Sequence, residues 1–81
     1  MDTQRIGRMI RYHRKRAGLS QLELANLCGI GKTAVFDVEK GKSTVQVSTL
    51  AALLVGLNIS VHWHSPLIAE FLSEENRNAQ S

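Results

Sequence analysis

The chain has 81 residues, 43% of them hydrophobic, with ten Lys and Arg against seven Asp and Glu, for a net charge of +3. That length builds one core and not two, and the single cysteine, Cys28, excludes an internal disulfide and suits a reducing compartment. No apolar run approaches the ~20 residues that span a bilayer, and the N-terminus lacks the apolar stretch of a signal peptide, so a cytoplasmic protein without membrane contact is expected.

Asp2 or Thr3 can cap a first helix running to about Ala17, in which Ile6, Met9, Ile10 and Ala17 recur at the spacing of a half-buried face. Arg5, Arg8, Arg11, Lys15 and Arg16 cover the rest. Residues 1–64 carry nine basic against four acidic side chains, a net of +5, while residues 65–81 carry one against three, a net of −2. Six of those nine basic residues lie between Arg5 and Arg16. Charge concentrated on one element is a footprint for phosphates, although a solvated helix face reads the same way on charge alone.

Gly18-Leu19 ends the first helix and Ser20 begins a second at once. In Ser20-Gln21-Leu22-Glu23 the hydroxyl can accept from the N–H three residues on, while the Glu23 carboxylate reaches back to the Ser20 N–H, a capping box. Leu22, Ala25 and Cys28 fall at helical spacing before Gly29 stops the helix, which makes Cys28 a small packed hydrophobe. Gly31 opens a third helix with Ala34, Val35 and Val38 inward, and Gly41 stands where a left-handed cap needs it. Two short helices joined by a turn of about 3–4 residues form a helix-turn-helix, whose second helix can enter a DNA major groove.

Ser48 can cap a fourth helix with Leu50, Leu53, Leu54 and Leu57 buried, ending at Gly56 and Asn58. From there the period becomes two: Ile59, Val61 and Trp63 alternate with Ser60, His62 and His64, predicting a half-buried strand. The chain offers no second strand, so the economical arrangement pairs it with its own copy in a two-fold dimer through Ile59, Val61 and Trp63. After Pro66, the residues Leu67, Ile68, Phe71 and Leu72 suit one or two amphipathic helical turns. They can pack back on the domain or its dimer mate, or anchor in a partner's groove. Glu74 to Ser81 is expected to lack regular structure. The organisation is then a helix-turn-helix domain with a dimerisation strand over residues 1–64 and an acidic tail over residues 65–81.

These residues resemble the Xre or lambda-repressor-like helix-turn-helix domains, mainly α folds of four to five helices. The matching marks are Gly18-Leu19-Ser20-Gln21, Glu23-Leu24-Ala25, Gly29-Ile30 and Glu39-Lys40-Gly41-Lys42, followed by the helix from Leu50 to Leu57. Gly31-Lys32 and Lys42-Ser43-Thr44-Val45 are similar to the HipB-like antitoxins, dimeric autorepressors that bind a HipA-type, kinase-like toxin. The resemblance implies a phosphate contact for Gln21, helped by the N–H groups of a helix start. It implies base reading for Lys32, Thr33, Phe36 and Asp37, where a lysine can donate to guanine and a phenyl ring can pack on a thymine methyl. Phosphate binding falls to Lys40, Lys42, Ser43 and Thr44, and Arg14 with Glu39 correspond to a partly buried structural ion pair.

Two positions depart from the family pattern. A carboxylate at Asp37 costs affinity near phosphates unless it accepts from cytosine or orients Lys32 or an arginine of the first helix. Phe36, where polar residues are common, reads equally as packing against the neighbouring helix.

Other constellations carry less. His62 and His64 would share one strand face, but two neutral ligands without a thiolate or carboxylate make a poor metal site. Surface histidines or pH-sensitive interface residues fit better. Asp37 and Glu39, two apart on a helix, point away from each other, and Cys28 with His13 lacks an orienting third group. Gly29-Ile30-Gly31-Lys32 lacks the preceding strand and the spacing of a phosphate loop. Neither enzyme nor cofactor is expected. The expected function is an operon-autoregulating antitoxin that represses from a palindromic operator on double-stranded DNA. The alternatives are a stand-alone phage or restriction-control regulator, or an interaction module without DNA binding.

Overall fold

Five α-helices follow one another: α1 Thr3–Arg16, α2 Gln21–Cys28, α3 Lys32–Glu39, α4 Val47–Gly56 and α5 Ile68–Gln80. They are seen in a computed structural model that describes residues 1–80. The Asp2 carboxylate accepts from the Arg5 N–H at 3.0 Å to start α1. At α2 the capping box is closed in both directions, Glu23 N–H to Ser20 Oγ at 3.0 Å and Ser20 N–H to Glu23 Oε1 at 2.9 Å. These backbone donors hold both carboxyls below their ordinary range. α4 begins earlier than its sequence predicts: Gln46 is the cap residue, and Ser48 lies inside the helix with its hydroxyl donating to Gln46 Oε1 at 3.4 Å.

The first four helices end alike. Leu19, Ile30, Lys42 and Ile59 donate their N–H back to Arg14, Ala25, Asp37 and Leu54 carbonyls at 3.1, 3.0, 3.0 and 2.8 Å. The residue before each donor is left-handed: Gly18, Gly29, Gly41 and Asn58. This is the Schellman ending, which usually carries a hydrophobic contact from its last residue. Leu19, Ile30 and Ile59 supply that contact against the core. At α3 the corresponding residue is Lys42.

The core is Ile10 from α1, Leu24 and Ala25 from α2, Val35 and Val38 from α3 and Leu53 from α4. Each large member contributes ~1.5–3 kcal/mol by leaving water. α3 is central, packed against both α1 and α2, while α4 lies on α2. α1 approaches α3 closely at Gly7, where a Cβ would overlap the Val38 carbonyl and stand 2.7 Å from that of Glu39. α2 meets α4 at Gly56, where a Cβ would run into the Cys28 sulfur. Cys28 is therefore part of the packing, and burial raises its thiol pKa.

The C-terminal quarter departs from the sequence reading. No strand forms among the described residues, and residues 59–65 run without regular structure. The alternation lacks a ladder partner in the chain, and its first member has another task, since Ile59 closes the Schellman ending of α4 and packs on the core. Val61 and Trp63 remain exposed, at 50% and 69%. The polar stretch after Leu72, expected to be irregular, continues α5 to Gln80, with Glu74 and Arg77 paired at 3.1 Å; Ser81 lies outside the described residues. α5 makes no packed interface with α1–α4. The radius of gyration, 15.3 Å, accordingly exceeds the ~12 Å of a compact chain this long.

Candidate nucleic-acid interface

Arg14 ties α1 to the end of α3 and to the link before α2. Its guanidinium grips Glu39 at the end of α3 with two hydrogen bonds, Nε to Oε2 at 2.6 Å and a second nitrogen to Oε1 at 3.0 Å. A third bond at 2.8 Å reaches the Leu19 carbonyl, between α1 and α2. Gln21, in the first turn of α2, adds its amide N–H to Glu39 Oε1 at 3.2 Å. The Arg14 and Glu39 side chains are only 9% and 5% exposed. The hydrogen bonds to Glu39 hold Arg14 more firmly protonated than a free arginine. No buried side-chain polar atom among the described residues lacks a partner. This cluster ties α1, the start of α2 and the end of α3 together.

The outer side of α3 is open. Lys32 and Thr33 stand exposed in its first turn, just beyond Gly31. Phe36, one turn on, is 45% exposed with the Lys40 ammonium 5.1 Å from its ring centre. Lys32, Thr33 and Phe36 are thereby brought to neighbouring positions on the exposed side of α3. Asp37 is half-buried, and its ion-pair partner is Lys42 at 3.6 Å, neither Lys32 nor an arginine of α1.

Lys40, Lys42, Ser43 and Thr44 line the exposed turn after α3. Gly41 lets that turn pass α1: its φ is 82°, and a Cβ there would stand 2.7 Å from the Gln4 Cα. The Thr3 hydroxyl donates to the Gly41 carbonyl at 2.8 Å, pinning the turn to the start of α1. Arg5, Arg8 and Arg11 are exposed along α1. Gln21 stands apart from the α3 set, half-buried in the Arg14–Glu39 cluster.

Sequence reading missed two of these links. The Gln21–Glu39 bond has no local signal, because its partners are 18 residues apart. The Asp37–Lys42 pair does have one: a carboxylate and a lysine five apart across a left-handed glycine occupy the two positions that meet in a Schellman ending. Leu67, Phe71 and Leu72 form an exposed apolar stripe with half-buried Ile68, well separated from α3 in sequence. No group of three or more His, Cys, Asp and Glu among the described residues is placed to hold a metal ion. No described helix is long and apolar enough to cross a membrane.

This architecture has known relatives. The helix-turn-helix family HTH_3 matches residues 10–64, from the middle of α1 to the segment beyond α4. The chain is 36% identical over 61 residues to the uncharacterized HTH-type transcriptional regulator y4mF of Sinorhizobium fredii, covering 75% of this chain and 80% of the relative. It is 32% identical over 63 residues to the ImmF control region 10 kDa protein of Bacillus phage phi105, covering 75% of this chain and 70% of that protein.

Proposed function

The chain belongs to the helix-turn-helix family HTH_3, and from that premise we propose a sequence-specific DNA-binding repressor acting as a homodimer on a palindromic operator. The observation that carries this reading is the clamped helix pair. Arg14, Glu39 and Gln21 fix α2 against α3, while Lys32 and Thr33 at the start of α3 are left exposed with no ion-pair partner among the described residues. A helix held this rigidly with a free cation in its first turn can sit in a major groove and donate to guanine. Thr33 follows on the adjacent base or phosphate, and the open part of the Phe36 ring suits a thymine methyl. Gln21, Lys40, Lys42, Ser43 and Thr44 hold the backbone. Arg5, Arg8 and Arg11 add phosphate contacts or a steering field.

The dimer is supported by the apolar surface beyond α4. Val61 and Trp63, two of the three residues assigned to the dimer, are each at least half exposed and available to a second copy. The two recognition helices would enter grooves ~34–36 Å apart.

Within this reading the chain is the antitoxin of a pair whose kinase-like toxin docks on the Leu67, Ile68, Phe71 and Leu72 stripe. A stand-alone phage-type regulator is the second reading, favoured by the likeness to the phage phi105 control-region protein. Co-purification with the product of the adjacent reading frame separates the two. For DNA binding itself, the test is titration of duplex from upstream of the chain's own gene at several salt concentrations. With ~6–10 phosphates neutralised per dimer, affinity falls ~10³–10⁵-fold between 50 and 200 mM salt. A salt-independent constant refutes the electrostatic account.

A further inference from the structure

Three of the four Schellman endings in this fold close on an apolar residue packed against the core: Leu19, Ile30 and Ile59. The fourth, at the end of α3, closes on Lys42, whose N–H donates to the Asp37 carbonyl at 3.0 Å. In such an ending the last residue and the third-from-last helical residue normally make a hydrophobic contact. Here those two positions are Lys42 and Asp37, and an ammonium–carboxylate pair at 3.6 Å takes the place of that contact. The lysine is 56% exposed while the aspartate is 29% exposed, so the carboxylate is the better-fixed partner and the ammonium the movable one. Lys40, two residues earlier, is likewise folded back on α3, over Phe36 at 5.1 Å.

We propose that Asp37 is a positioning residue that restrains Lys42 and competes with DNA phosphate for it, setting how tightly the turn after α3 grips any duplex without reading a base. This rests on the DNA-binding reading above. Lys42 can reach a phosphate only by sharing or leaving the carboxylate, and the carboxylate itself repels the backbone. The turn therefore binds phosphate more weakly than its lysine content implies. A family position that looks like a misplaced acid becomes a device limiting sequence-independent affinity.

The experiment is a double-mutant cycle on the full chain, using two duplexes: the region upstream of its gene and a scrambled duplex of equal length. Asp37→Asn is expected to tighten binding to both duplexes alike, by about two- to fivefold at low salt, the range an exposed ion pair is worth. The slope of log K against log salt should steepen by at most the ~0.9 expected for one phosphate. In a Lys42→Gln background the same Asp37→Asn change should have at most a small effect. Circular dichroism confirms that each variant is folded. A gain that persists in full without Lys42 overturns the proposal, because it marks plain charge repulsion. A change confined to one base position of the upstream duplex also overturns it, because it makes Asp37 a base reader. Wild-type protein that binds neither duplex at 50 mM salt removes the DNA-binding reading itself, a failure distinct from both.

Discussion

Arg14 shows at the scale of one residue how the site is held. A guanidinium taken almost wholly out of water is tolerable only when its charge and its donors are met, and Glu39 with the Leu19 carbonyl meets them. Glu39→Ala strips the charge partner and leaves a buried cation, which costs ~3–5 kcal/mol. A melting temperature lowered by well over 10 °C is expected, with base preference in the surviving folded fraction little changed; an unchanged melting temperature would contradict this. Glu23 gives a pH signature of the opposite sort, exposed and tied to the start of α2. Its carboxyl is held below its ordinary value of 4.5, first by the Ser20 N–H. A lowered folded pKa contributes stability that is complete above the unfolded pKa and disappears as pH falls through 4.5 to the folded value. Thermal melts from pH 7 to 3 should therefore drop less steeply in the acid limb for Glu23→Gln, which keeps the box without the titration. Equal acid limbs would show that the box does not supply this pH dependence. The Ser20–Glu23 box is legible because the residues that make it are three apart, whereas Gln21–Glu39 is set by the angle of two helices and is visible only in the fold.

Elements here are specified mostly at their ends. Ser20, Gly29, Gly31 and Gly41 are caps that bring α2 and α3 out of the sequence almost to the residue, because capping chemistry is local. α4 is less legible, since neither Gln46 nor Val47 carries a signal that outweighs Ser48. Residues 59–64 alternate as a strand does, but alternation states a preference and not a partner, and Ile59 is already spent on closing α4. α5 was masked by its polar end: Glu74, Glu75 and Arg77 read as solvated tail yet are acceptable helix residues, paired i to i+3 by Glu74 and Arg77. The crossing of α1 and α3 supplies a sharp test. An alanine in a helix interior ordinarily improves on glycine by ~0.5–1 kcal/mol, but at Gly7 the added Cβ meets two backbone carbonyls of α3. Gly7→Ala is expected to destabilise by ~1–3 kcal/mol, as overpacking does, measured by denaturant unfolding. A variant as stable as the wild type would mean that the two helices are not so closely apposed.

For the whole molecule, charge and apolar surface are segregated. The net +5 lies on residues 1–64, with the clamped helices, and the net −2 on residues 65–81, with a helix that has no extensive packing against them. An acidic α5 is repelled by DNA, so its exposed Leu67, Phe71 and Leu72 are better placed for protein than for phosphate. Two copies at micromolar concentration are expected by sedimentation, and a monomer would undo the palindrome. The central claim, that the first turn of α3 reads sequence while Gln21 and the turn after α3 hold backbone, is tested most directly by measuring base preference across the bound duplex. Wild type, Lys32→Ala and Gln21→Ala should be compared at one salt concentration. Lys32→Ala should lose discrimination at one or two positions, ~1–3 kcal/mol each, with the rest of the pattern intact. Gln21→Ala should weaken every sequence alike. Uniform weakening in both variants would contradict the account.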